Sequence, residues 1–162
     1  MAEHADTQRI ADSLLGTDLT REDCERLATI VKQKTLQPQE VLFEPDTIDG
    51  NLYIVVEGKL DILKVVGPHK TLHINTIKQG TLVGELSFID GIAHTMRLQA
   101  RKEATVLMLQ RDEFEKLGEQ HPQVVMHVMR SILRFSHQLQ RKMLQENLEM
   151  HRIIQNEYMT QY

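Results

Sequence analysis

Seventeen residues in the middle of the chain, Gln79-Gly80-Thr81-Leu82-Val83-Gly84-Glu85-Leu86-Ser87-Phe88-Ile89-Asp90-Gly91-Ile92-Ala93-His94-Thr95, combine the residue types that hold an anion. Gly84 lets the backbone come close to a ligand. A short helical turn after Glu85 would aim the free N–H groups of Glu85, Leu86 and Ser87 at that ligand, an arrangement suited to phosphate oxygens. His94 follows ten residues after Gly84. A neutral imidazole offers one donor and no charge at pH 7, and its protonated form lacks the planar fork of a guanidinium. Arg97 comes three residues later, but the alternation that places Met96, Leu98 and Ala100 on one strand face turns Arg97 to the other.

No second chemistry accompanies this segment. The chain has no Gly-x-Ser-x-Gly elbow, no Walker-type phosphate loop and no paired-carboxylate signature, so no catalytic residue is assigned and the protein reads as non-enzymatic. His69 and His73 are four apart in a strand-turn context rather than on a helix, and no metal site is proposed. Cys24, the single cysteine, falls on an apolar helix face and reads as a small core residue.

The elements that must position Gly84 to Thr95 follow from the pattern around them. Thr20 and Asp23 form a capping signature, and Cys24, Leu27, Ala28 and Val31 recur at helical spacing; Ile10, Leu14 and Leu15 suggest a helix before it. Beyond Lys34 the pattern becomes short β-rich runs divided by Gly, Pro, Asp and Asn. Strands are expected at Val41–Phe43, Leu52–Val56, Leu60–Leu63, Leu72–Ile77, Thr95–Ala100 and Ala104–Leu109, which is the signature of a sandwich or barrel. A short helix over Asp112–Leu117 should end at Gly118, and Pro122 suits the first turn of a final helix running to near Tyr162. About forty residues without Gly or Pro far exceed the ~11–12 of an ordinary helix. Val128, Ile132, Phe135, Leu139, Met143, Met150 and Ile154 form a stripe whose eleven-residue repeats suit nearly straight or slightly right-handed pairing. Its first half could equally pack on the barrel.

Together the Gly84–Thr95 segment and Leu52-Tyr53-Ile54-Val55-Val56-Glu57-Gly58-Lys59-Leu60 resemble the two hallmarks of the cyclic-nucleotide-binding domain family, which includes catabolite activator protein and the regulatory subunit of cyclic-AMP-dependent protein kinase. The likeness extends over roughly Leu19 to Phe135. It implies a mainly β fold, a jelly-roll barrel with short N-terminal helices and a long C-terminal helix. The expected segments are 1–33 for the N-terminal helices, 34–121 for the barrel and 122–162 for a dimerisation helix. It also implies ligand-binding roles for Gly84, Glu85, Leu86, Ser87, His94 and Thr95, with Glu85 accepting from a ribose 2′-hydroxyl and Thr95 near the phosphate. At the position of His94 the family places an arginine that grips the cyclic phosphate by a two-pronged contact. The protein is therefore expected either to bind a cyclic nucleotide, cyclic AMP or cyclic GMP, weakly or to have lost binding. Where the family favours glycine at the first two barrel turns, this chain has Gln39 and Pro45, so those corners must be made differently.

Composition fits such a module. The 162 residues are 41% hydrophobic and 26% charged, and no apolar run reaches the ~20 residues of a spanning helix. The acidic N-terminus lacks a signal pattern, so a cytoplasmic protein with no resident cofactor is expected. A net charge of −4 argues against direct nucleic-acid binding. No helix-turn-helix pattern follows the long helix before Tyr162, so DNA contact would need a partner chain. The functional expectation is a regulatory homodimer signalling through its C-terminal helix; the alternatives are a DNA-less relative of a transcription regulator and a structural interaction protein.

Overall fold

The computed structural model describes residues 2–160. In chain order it contains α1 (Ala2–Asp12), a 3-10 turn (Leu14–Asp18), α2 (Arg21–Ala28), β1 (Lys32–Leu36), β2 (Val41–Phe43), β3 (Asn51–Glu57), β4 (Leu60–Gly67), β5 (Lys70–Ile77), β6 (Leu82–Val83), α3 (Glu85–Asp90), β7 (Arg97–Ala100), β8 (Ala104–Gln110), α4 (Arg111–Gln120) and α5 (Pro122–Met159). Two four-stranded antiparallel sheets, ordered β1-β8-β3-β6 and β2-β7-β4-β5, face each other as a jelly roll.

The long apolar run Leu52–Val56 is explained by burial on both faces, as expected of a strand with neighbours on each side. Tyr53 and Val55 point between the sheets, where they join Leu36, Leu42, Leu60, Val83, Leu98 and Val106. Leu52 and Ile54 alternate to the other face and are also fully buried; α3 packs on β3 and α4 on β8. Each fully buried aliphatic side chain contributes about 1.5–3 kcal/mol.

α2 starts as its signature predicts. Asp23 N donates to Thr20 Oγ1 at 3.1 Å, and Thr20 N donates to Asp23 Oδ2 at 2.9 Å, a reciprocal cap worth about 1 kcal/mol. The helix closes at Ala28, so Val31 lies beyond it. Cys24 is buried, and burial, with Asp23 and Glu25 nearby, pushes its thiol up to about 11.

Three expectations need correcting, and the expected glycine-free corners can be described. β1 and β6 were not foreseen: Lys32–Leu36 is polar because only Leu36 is buried, and β6 is two residues long. The strand expected from Thr95 begins at Arg97. Gly118 does not end α4; the helix continues to Gln120, and a Cβ at Gly118 would lie 2.4 Å from Val125 Cγ2, so the glycine is there for close packing of α4 on α5. The two turns without glycine are made by Gln39 (φ 71) and Asp46 (φ 64) in the left-handed region.

Two compact units are present, one reaching Ser131 and the other starting at Ile132. In the first, Val124 and Val128 of α5 are buried; His127 Nδ1 lies 2.6 Å from Asp23 Oδ2, and Asp18 N donates to Ser131 Oγ at 3.0 Å. In the second, α5 is a lone helix whose side chains from Leu139 to Glu157 are exposed. The expected final residues Gln161 and Tyr162 fall outside the described residues. No helix among the described residues is long and apolar enough to cross a membrane.

Candidate functional site

The segment singled out by sequence becomes β6, the short α3 and the loop leading to β7. Gly84 is the N-cap of α3 with φ 84, a conformation glycine adopts without cost. A Cβ there would lie 2.7 Å from the Asn51 carbonyl oxygen, 3.3 Å from the Tyr53 ring and 3.7 Å from His94 Cε1. The missing side chain thus makes room for the protein's own β3 and for His94.

His94 sits at the centre of the site. Its side chain is only 4% exposed. The ring stacks on Phe43 with centroids 3.6 Å apart and planes 12° apart, and Nε2 lies 3.0 Å from Asp49 Oδ1. Because an ionised carboxylate only accepts, Nε2 carries the proton. The backbone is fixed as well: His94 N donates to Thr47 O at 2.8 Å, and Asp46 N donates to His94 O at 2.7 Å. The β2–β3 loop is in this way sewn to the loop before β7.

Asp49 collects further donors. Asn51 N donates to Oδ1 at 3.1 Å, and Tyr53 OH donates to Oδ2 at 2.6 Å. Burial, reinforced by Asp49, holds the Tyr53 hydroxyl well above its ordinary pKa. Asn51 Nδ2 donates to Tyr53 OH at 3.2 Å. Glu85 is half-buried beside this network. Burial raises its carboxyl above 4.5, against the opposing pull of its own backbone N–H and of His94.

Of the residues expected to hold a ligand, Gly84, Glu85 and His94 come together. Ser87 is buried and its Oγ accepts from Gly50 N at 3.1 Å, so the hydroxyl braces a loop. Leu86 and Thr95 are exposed. Arg97 turns away as alternation predicts, and its Nε donates to Glu44 Oε2 at 2.8 Å. His73 pairs with Asp61 Oδ1 at 3.3 Å and Thr76 Oγ1 at 3.0 Å.

Phe43, Asp49, Asn51 and Tyr53 were not identified from sequence. The signal for Asp49 was the Asp-Gly-Asn turn before β3, which places a carboxylate at a strand entrance. Chemically, the site holds an imidazole whose Nε2 proton is committed to Asp49 and two carboxylates, Asp49 and Glu85, with the Arg111 side chain beside Gly50 and Gly91.

Residues 33–121 match the sequence profile of a family described as Cyclic nucleotide-binding domain. The HTH-type transcriptional regulator Cmr of Mycobacterium tuberculosis is 26% identical over 114 residues, which is 70% of this chain and 46% of that protein. The chain spans less than half the length of the curated relatives it matches. A cyclic nucleotide-binding domain from Methylobacillus flagellatus is similar in fold, with a TM-score of 0.78 at 18% identity over 87% of this chain and 81% of that one. The regulatory subunit of a cAMP-independent protein kinase A from Trypanosoma cruzi, bound to guanosine, has a TM-score of 0.67 at 19% identity over 82% of this chain and 45% of that one.

Proposed function

The chain belongs to the cyclic nucleotide-binding domain family, and from that premise we propose that it is a non-catalytic regulatory module whose pocket has been rebuilt for a neutral, hydroxyl-bearing ligand of the nucleoside kind. The cyclic phosphate is no longer the recognised group. The observation that carries this reading is the His94–Asp49 pair. A cyclic phosphate needs a cation with donors to spare; His94 spends its Nε2 donor on Asp49, and Arg97 is held by Glu44. Asp49, in contact with His94, adds negative charge where the anion would sit. Two like charges about 5 Å apart repel by about 3 kcal/mol at an effective dielectric of about 20, close to a hundredfold in affinity. Ribose hydroxyls, in contrast, donate to carboxylates. The guanosine bound to the Trypanosoma cruzi protein is a ligand of that chemistry on a similar fold.

The output runs through α5. Its start is fixed to the N-terminal helices by His127–Asp23 and Ser131–Asp18, which supports a barrel whose state is transmitted to the helix. The exposed stripe Leu139, Met143, Met150 and Ile154 associates with a second copy of the chain in the cytoplasm. Isothermal titration with guanosine, adenosine, cyclic AMP and cyclic GMP tests the ligand class. Nucleosides should bind at least tenfold more tightly than their cyclic phosphates; the reverse order would overturn the proposal.

A further inference from the structure

The lone-helix part of α5 carries more apolar surface than one partner helix can cover. Leu139, Met143, Met150 and Ile154 form one exposed line. Leu133, Leu144, Leu148 and Met159 form a second, also exposed. At 3.6 residues per turn the two lines are about 130° apart around the helix, whereas a partner in a two-stranded coil covers a single narrow seam.

Both lines keep the same axial repeat: Leu139 to Met150 and Met143 to Ile154 are eleven residues, as are Leu133 to Leu144 and Leu148 to Met159. Two lines of equal period stay parallel along the helix, so each matches the other on an identical chain. Their outer edges differ in charge. Glu146 and Glu157, eleven apart, flank the first line on the side away from the second. Arg141 and Arg152, also eleven apart, flank the second line on the side away from the first. When two helices face each other in parallel, these two edges meet.

Accepting the self-association through α5 proposed above, we infer that the contact is heterologous: the Leu139–Ile154 line of one copy seats on the Leu133–Met159 line of the next, with Glu146 and Glu157 against the next copy's arginine edge. A heterologous contact leaves one line of each kind unused in a dimer, so the assembly grows past two copies until it closes as a ring.

Sedimentation equilibrium of the full chain at tens of micromolar tests this. The wild type should have the mass of three or more chains. L139Q/M143Q removes one line and L144Q/L148Q the other; each should be monomeric alone, and mixing them should give a one-to-one heterodimer that grows no further. The substituted residues are exposed, and unchanged thermal unfolding of the barrel checks that both variants are folded. R141E/R152E should weaken assembly at least tenfold, and adding E146R/E157R to the same chain should restore it. A wild-type dimer that persists in L144Q/L148Q would overturn the heterologous contact while leaving simple pairing through α5 intact. A wild-type monomer would overturn both. A larger assembly that none of these substitutions alters would place self-association outside α5 and overturn both as well.

Discussion

The imidazole of His94 lies flat on the Phe43 ring at 3.6 Å while its Nε2 reaches Asp49 Oδ1 at 3.0 Å. One aromatic face and one carboxylate thus fix the residue expected, from the family resemblance, to replace an arginine. Replacing the histidine alone should therefore restore nothing: in H94R the new guanidinium meets Asp49 and is neutralised by it. H94R should show no measurable cyclic AMP binding, and H94R/D49A should gain at least tenfold, both read by isothermal titration. Strong binding by the single variant would mean that Asp49 does not govern the site.

Gly84 provides a second test, because its structural role is separable from a ligand role. A Cβ 2.7 Å from the Asn51 oxygen at φ 84 should cost G84A about 2–3 kcal/mol, seen as a lower urea midpoint without any ligand. G80A is the control. Gly80 has φ 89 but open space around it, so only the backbone strain of about 1 kcal/mol should appear.

The Asp23–His127 contact ties α2 to α5 and should be visible in acid. Burial pushes the Asp23 carboxyl up, but Thr20 and His127 together outweigh it and leave the group below its ordinary 3.8. The unfolded chain therefore takes up this proton first. The stability it contributes is present above pH 3.8 and lost as pH falls through the folded value. D23A should lose about 2–3 kcal/mol at pH 7, a fall in Tm of about 4–12 °C, and the gap to wild type should narrow in acid.

Glu85 runs the opposite way. Its folded carboxyl is raised above 4.5, so the native protein holds this proton more firmly, and stability declines as pH rises through the folded value. E85Q should be modestly more stable than wild type at pH 7, with that advantage gone below pH 4.5. It should also bind a nucleoside at least tenfold more weakly, because the amide replaces a charged acceptor. Unfolding curves across pH and one titration read both effects.

Much of the barrel was legible because its strands carry strong local signals. Leu52–Val56 is an unbroken apolar run, and turn residues bound most strands. β1 escaped notice because Lys32, Gln33, Lys34 and Thr35 are exposed and its pairing with β8 is set by tertiary contact. Gly118 misled for a related reason: its purpose is the approach of Val125, eight residues past the end of the predicted helix. At the site, Gly84, Glu85 and His94 were legible from spacing within one segment. Asp49 and Phe43 reach His94 from 45 and 51 positions away, Tyr53 joins them through Asp49, and no local pattern reports that distance. The likeness to a known family drew attention to His94, but only the fold shows that Asp49 and Phe43 hold its ring.

The two backbone hydrogen bonds that join His94 to Asp46 and Thr47 also set a clock. Displacing the His94 backbone therefore carries the β2–β3 loop with it, and turning its ring breaks the contact with Asp49 on that same loop. Loop motions take about nanoseconds to microseconds, slower than the picosecond-to-nanosecond flips of a free side chain.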